Sequence, residues 1–297
     1  MSGAHNGSAR RRPSPLAVGA SELIASGAFG AFLVNTSSRA IFQAQSAAHP
    51  ASPMPPWIAH RGGGSDAPEN TLAAFALGHA AGFRAFECDV RRTRDGVCVL
   101  MHDDGVERTT SGRGDLLQHD WAEVASWDAG AWHSPAFCGV RVARLDELLA
   151  WARPLQVVLN LELKPLPGDA SANAQAAAET LRTCDWAMAS DRLLISSFAP
   201  QALASFAREL PQLPRALLCE TLSESVWATA QDLKVQGLST EYRQWSAEAV
   251  ARAHSLGWAT AAYTVNRAQD IERMQRMGVD SWFTDAVREF GPRACGG

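Results

Sequence analysis

From Trp57 onward, short apolar runs alternate with longer stretches whose apolar positions recur at helical spacing. The runs predict strands over 57–60, 84–90, 156–162, 192–196, 215–219, 236–240, 258–264 and 280–284. The stretches between them predict helices over 70–81, 144–152, 172–183, 200–209, 223–233, 246–255 and 267–276. Several of these start near Ser, Asp or Asn, and three stop before Gly82, Gly257 and Gly278. Strands alternating with helices are the pattern of repeated βα units and a parallel sheet. Eight such strands close most simply into a TIM (β/α)8 barrel, with a doubly wound open sheet as the other solution.

One segment breaks the alternation. The run 97–100 follows the strand ending at Val90 too closely for a parallel crossover, and Asp95-Gly96 between them is a hairpin signal. With those two residues as the turn, 94 pairs with 97 and 93 with 98, which sets Asp89 opposite His102. The stretch 103–142 has little periodicity, carries the Ser111-Gly112-Arg113-Gly114 turn, and predicts an insertion over one end of the barrel.

Composition changes this picture only at the edges. With 297 residues, 46% hydrophobic and 20% charged, the chain has room for one large α/β domain. A net charge of -4 gives no global attraction to nucleic acid or anionic lipid, so phosphate recognition has to come from a few placed cations. Cys88, Cys98, Cys138, Cys184, Cys219 and Cys295 are scattered without a CxxC pair and read as reduced thiols, consistent with a cytoplasmic protein. No stretch reaches the length of a transmembrane helix. Arg10-Arg11-Arg12 precedes a mildly apolar stretch, but Pro13, Pro15 and Glu22 interrupt any export signal. Residues 1–52 therefore read as a disordered extension, or as the product of a start codon upstream of the true one, with the barrel over 53–291.

The chemistry gathers at the predicted C-terminal strand ends, the catalytic face of such a barrel. His60 and Arg61 follow the first strand; Glu87 and Asp89 lie on the second, Glu162 and Lys164 on or just after the third, and the hairpin delivers His102. Residues two apart on a strand share a face, so Glu87 and Asp89 project together while Cys88 turns away. Three converging carboxylates would cost several kcal/mol if left unpaired, and a hard divalent cation, Mg²⁺ or Ca²⁺, relieves this by taking all three as oxygen ligands. An ion-pair network of the three with Arg61 and Lys164 is the purely structural alternative. Two histidines beside a cation suit phosphodiester cleavage, in which one group takes a proton and another gives one. Arg61 and Lys164 supply positive charge for phosphate oxygens. Pro68-Glu69-Asn70-Thr71 opens the first helix; capping accounts for Asn70 and Thr71, while Glu69 is a candidate for the metal or its polar surroundings.

These residues resemble the glycerophosphodiester phosphodiesterases. The likeness is carried by His60-Arg61-Gly62, Pro68-Glu69-Asn70-Thr71, Phe75, Glu87-Cys88-Asp89-Val90, Thr93-Arg94-Asp95-Gly96, His102-Asp103 and Arg108-Thr109-Thr110 with Gly112 and Gly114. It continues through Leu145, Glu147-Leu148, Glu162-Leu163-Lys164, Ser197-Phe198, Thr264-Val265-Asn266, Gly278-Val279-Asp280 and Thr284-Asp285. The resemblance implies a TIM barrel with a small inserted subdomain, and hydrolysis of a small-molecule glycerophosphodiester to sn-glycerol 3-phosphate and an alcohol. It implies His60 and His102 as the acid–base pair, Glu87, Asp89 and Glu162 as metal ligands, and Arg61 and Lys164 as phosphate contacts. Phe198 and Tyr263 would line the glycerol side, with Glu69 near the mouth; Tyr263 stands where the family usually has Trp, which adds a hydroxyl to the aromatic wall. By likeness to phosphatidylinositol-specific phospholipase C, the glycerol 2-hydroxyl would attack phosphorus to give a cyclic phosphate that water opens; direct attack by water is the competing route. A lysophospholipase D-like activity would need an apolar entrance, for which Trp121, Trp127, Trp132 and Phe137 are candidates. A non-catalytic barrel that binds phosphodiesters is the reading from another class, and the presence of both histidines and all three carboxylates speaks against it.

Overall fold

The computed structural model of the chain describes residues 54–189 and 191–292. Strand β1 (Trp57–Ala59) pairs in parallel with β2 (Ala85–Arg92) on one side and with the last strand, β9 (Ser281–Thr284), on the other. That double pairing closes the sheet. Between them run β4 (Val158–Leu163), β5 (Leu193–Ser197), β6 (Arg215–Cys219), β7 (Gly237–Glu241) and β8 (Ala259–Tyr263), each parallel to the next, so the predicted eight-stranded barrel is present and an open sheet is excluded. The helices that cover it are α1 (Leu72–Ala80), α3 (Leu145–Leu155), α4 (Ala170–Arg182), α6 (Pro200–Glu209), α7 (Glu224–Asp232), α8 (Ala247–Ser255) and α9 (Ala268–Met277). Two short helices, α2 (Trp121–Val124) and α5 (Asp185–Ala189), lie outside the predicted set; each is too short to show periodicity.

Strand alternation divides the core. Phe86, Cys88, Val90, Leu159, Leu161 and Leu163 point outward and pack under the helices in one apolar cluster. Their alternates face into the barrel, where Ile58, Ala85 and Phe283 fill one end and Glu87, Asp89 and Glu162 stand at the other. Local signals set the helix ends. Thr71 Oγ1 accepts the Ala74 N–H at 3.2 Å to start α1, and Gly278, at φ 79°, ends α9 in the left-handed conformation.

The hairpin forms with a different register from the one expected. β3 (Cys98–Leu100) runs antiparallel to β2 with Val90 opposite Leu100, Arg91 opposite Val99 and Arg92 opposite Cys98. The turn holds Arg94, Asp95 and Gly96 rather than two residues: Thr93 N–H donates to Val97 O at 3.0 Å, and only Gly96 of the three has positive φ, at 86°. A two-residue I′ turn needs positive φ at both central positions, and Asp95 does not adopt it. Asp89 therefore faces Met101, whose N–H donates to Asp89 O at 3.0 Å, and His102 lies one residue beyond. Buried Arg91 fixes that end by donating from Nε and Nη2 to His102 O at 3.0 and 2.7 Å.

The insertion grows from this hairpin. Val99 and Met101 of the hairpin join Val106, Leu116, Val124, Trp127, Ala129 and Val142 in a second, smaller core. Gly112 is pressed on the Trp127 ring, which a Cβ would approach to 2.6 Å. Among the described residues no helix is long and apolar enough to cross a membrane. The expectations for residues 1–52 and for Cys295 lie outside the described residues.

Candidate active site

The turn after β1 uses backbone that few sequences tolerate. Arg61 and Gly62 both have positive φ, 49° and 88°, and a Cβ on Gly62 would meet Phe75 N at 2.9 Å. This turn aims the Arg61 N–H at Glu87 Oε2, 2.9 Å away, and swings the guanidinium over Asp89, with Nε 3.3 Å from Oδ2. His60 points into the mouth between β1 and β9. Its Nδ1 is 2.6 Å from Asp285 Oδ1, which leaves Nε2 toward the carboxylates, 3.8 Å from Glu87 Oε2. Asp285 is itself held by Asn266, whose Nδ2 donates to Oδ2 at 3.0 Å and whose Oδ1 accepts the Asp285 N–H at 2.8 Å.

Register across β2 and β4 brings the carboxylates together, with Asp89 directly beside Glu162. One oxygen from each of Glu87, Asp89 and Glu162 lies within 4.8 Å of the others, and all three residues are buried. Asp89 is the best supported. Asn70 Nδ2 donates to its Oδ2 at 2.7 Å, its own N–H donates to Asn70 Oδ1 at 3.1 Å, and Lys164 Nζ is 3.5 Å from Oδ1. Asn70 thus does more than open a helix; it spans from the end of β1 to a β2 carboxylate, from a left-handed φ of 59°. Lys164 also donates to Glu162 Oε1 at 3.0 Å.

These contacts separate the three acids. Burial alone would raise Asp89, but Arg61, Lys164, His102 and Asn70 together hold it below its ordinary value. Burial raises Glu87 and Glu162, and the Asp89 charge raises them further. Glu87 Oε1 is buried without a hydrogen-bond partner among the described residues. Acid oxygens this close, one of them orphaned, fit a hard divalent cation better than a closed ion-pair network would.

His102 enters from the hairpin side. Its Nδ1 is 2.6 Å from Asp103 Oδ1, and Arg108 Nε donates to the other Asp103 oxygen. Arg108 continues to Glu69 at 2.7 and 2.8 Å, and Glu69 Oε1 accepts from Arg61 Nη1 at 2.7 Å. One polar chain thus links the two histidine sides. Glu69 belongs to this chain rather than to the carboxylate cluster, and the arginine contacts hold it below its ordinary pKa despite burial. Asp103 is held well below the carboxylate range, first by its bond from Arg108.

A cavity of about 170 Å³ joins His60, Arg61, Glu87, His102, Glu162, Lys164, Phe198 and Tyr263; Glu69 is not part of its lining. Phe198 and Tyr263 meet edge to face, centroids 5.7 Å apart, and form one wall. The Tyr263 hydroxyl donates to Cys219 O at 2.8 Å. It is spent on the backbone, so the wall presents ring rather than hydroxyl. None of Trp121, Trp127, Trp132 and Phe137 lines this cavity. Trp127 is buried in the insertion core, and Trp132, 41% exposed, packs on His133. Of the other histidines, His119 pairs with Glu123 at 2.9 Å and His254 with Asp280 at 2.9 Å, both away from the site.

The roles of Asp285, Asn266, Asp103 and Arg108 are not legible in the sequence. The available signals were adjacency, His102-Asp103 and Thr284-Asp285, and neither shows which carboxylate a histidine will meet.

The closed parallel barrel thus sets two carboxylate-anchored histidines beside clustered acids at its C-terminal strand ends, the catalytic face of such barrels. Residues 60–289 match the glycerophosphoryl diester phosphodiesterase family, and the chain belongs to that family. A glycerophosphodiester phosphodiesterase of Caldanaerobacter subterraneus subsp. tengcongensis is 32% identical over 232 residues, covering 77% of this chain and 93% of that one. A glycerophosphodiester phosphodiesterase of Bacillus subtilis is 25% identical over 241 residues, covering 77% and 82%. Among solved structures, an Oleispira antarctica phosphodiesterase in complex with the product sn-glycerol-3-phosphate superposes with a TM-score of 0.75 at 30% identity, covering 80% of this chain and 95% of that one.

Proposed function

We propose that the chain hydrolyses glycerophosphodiesters to sn-glycerol 3-phosphate and an alcohol, with His60 and His102 moving the protons and Glu87, Asp89 and Glu162 holding a divalent cation. The observation that carries this reading is the pair of histidines, each bonded through Nδ1 to its own carboxylate at 2.6 Å, around one cavity that Glu87 and Glu162 also line. The product bound to the Oleispira relative supports the substrate class.

The environments of the two histidines divide their roles. Burial works against the charged form of His60, but the bond to Asp285 and the Glu87 and Asp285 charges outweigh it, and its pKa is raised. Burial, with Arg61 and Lys164 nearby, lowers His102. A histidine that keeps its proton suits the general acid, and one that gives it up suits the base, so His60 would protonate the leaving oxygen and His102 would take the proton of the nucleophile. Arg61 and Lys164 orient the phosphoryl oxygens, and the Phe198–Tyr263 wall packs on the glycerol carbons. A cation bound by the three carboxylates would supply Lewis-acid neutralisation of the phosphoryl charge. A cytoplasmic setting is part of the same reading, supported by free thiols at Cys88, Cys98, Cys138, Cys184 and Cys219.

The test is release of glycerol 3-phosphate from a panel of glycerophosphodiesters during titration with Mg²⁺ and Ca²⁺. His60→Ala and His102→Ala should each lower turnover by about a hundredfold or more; undiminished turnover in either would remove that residue from the mechanism. A substrate analogue lacking the 2-hydroxyl separates attack by that hydroxyl from attack by water.

A further inference from the structure

Glu87, Asp89, Asn160 and Glu162 stand at the corners of one rectangle on two adjacent strands. The register of β2 on β4 sets Glu87 beside Asn160 and Asp89 beside Glu162. Neighbouring strands lie about 4.8 Å apart and alternate residues about 6.6 Å apart, so all four side chains rise from one small patch of the inner face. Asn160 is 1% exposed and lines the active-site cavity with Glu87 and Glu162. Its Oδ1 is buried without a hydrogen-bond partner among the described residues, and so is Oε1 of Glu87 at the adjoining corner. Glu87 Oε2, Asp89 and Glu162 each receive a hydrogen bond, so the buried unpartnered acceptors of this patch are Glu87 Oε1 and Asn160 Oδ1. Buried acceptors left without a donor are unfavourable, and a cation bound at this patch would satisfy both.

We propose that Asn160 is a fourth protein oxygen donor to the divalent cation, in addition to Glu87, Asp89 and Glu162. A hard cation takes amide carbonyl oxygens alongside carboxylates. A neutral donor at this corner adds a ligand without adding a fourth negative charge to a patch where three already oppose one another. The inference rests on the cation site of the proposed function.

Asn160 also borders a smaller space beneath the site, of about 20 Å³, together with Ser196 and Ser239, whose hydroxyl oxygens have no hydrogen-bond partner among the described residues. That space holds roughly one water. An asparagine serving only this water would be structural, and the experiment has to separate the two roles.

In the full chain, Asn160→Leu keeps the shape and removes the oxygen. Ca²⁺ and Mg²⁺ affinities are read by calorimetry, and the thermal midpoint is read without metal. Cation affinity should fall on the order of ten- to hundredfold while the metal-free midpoint is unchanged or higher. Unchanged affinity overturns the proposal. Where affinity and midpoint both fall, Asn160→Asp decides: recovered affinity supports the donor role, and affinity as weak as the leucine variant's overturns it. A parent protein that binds neither cation removes the metal reading itself, whereas binding that is indifferent to Asn160→Leu removes only this inference.

Discussion

His60 Nδ1 lies 2.6 Å from Asp285 Oδ1, a bond between residues 225 apart in the chain. It exists because β1 and β9 are neighbours across the barrel seam, with Ala59 opposite Thr284. The bond fixes the ring so that Nε2 faces the acids, and it outweighs much of the burial that disfavours the imidazolium.

Asp285→Asn should therefore damage catalysis more than folding. An acid must be protonated to act, and the raised pKa of His60 extends its protonated range upward. Without the carboxylate charge that pKa falls, so the alkaline limb of the pH–rate profile should move to lower pH and kcat should drop by about a hundredfold. An unmoved alkaline limb would mean that His60 is not the acid.

Asn70→Gly tests the support of Asp89. Glycine accepts the φ of 59° that Asn70 adopts, so the backbone is spared while both bonds to Asp89 are lost. Hydrogen bonds to a buried charged group are worth about 1.5–3 kcal/mol, and denaturant unfolding of the metal-free protein should show a loss of that order. Half-saturation by Mg²⁺ or Ca²⁺ should also shift to higher concentration.

The response to metal should depend on pH in a definite direction. Without a cation, burial and then the Asp89 charge raise Glu87 and Glu162 above their ordinary value of 4.5. Above that ordinary value the unfolded chain releases these protons and the folded chain keeps them, so their contribution to metal-free stability falls as pH rises toward the folded pKa. A cation needs both groups ionised and displaces the protons. The gain in Tm on adding metal should thus grow between about pH 5 and about pH 8 and vanish with a chelator. A gain independent of pH would show that both acids are already ionised without the cation.

Gly78→Ala sets local against tertiary preference. Gly78 lies in α1, where alanine is the better helix former by about 1 kcal/mol. A Cβ there would come within 2.3 Å of Gly62 O and 2.9 Å of the Phe86 ring. The turn that carries His60 and Arg61 would have to shift, so both the unfolding midpoint and kcat/KM should fall. A stabilised, fully active variant would show that the turn yields without cost.

Much of the fold was legible because the strands are short apolar runs in strict rhythm with the helices. The same period of two correctly set Glu87 with Asp89 and Cys88 apart, since neighbouring side chains on a strand point to opposite faces. The hairpin was legible as a hairpin but not in register. That depended on Asp95, which stays at negative φ, so that Gly96 alone takes the left-handed position.

By itself the amino-acid order determined the alternation of eight strands with helices, the shared face of Glu87 and Asp89, and the placing of His60, Arg61, Glu87, Asp89, Glu162 and Lys164 at strand ends, while closure into a barrel came from the pairing of β1 with β9. Only the tertiary structure decided the partners: Asp285 for His60, Asn70 for Asp89, and the Asp103–Arg108–Glu69 chain behind His102. Periodicity is a property of consecutive residues and survives in the linear chain. Partnerships between loop residues depend on where barrel closure and left-handed turns leave two distant segments.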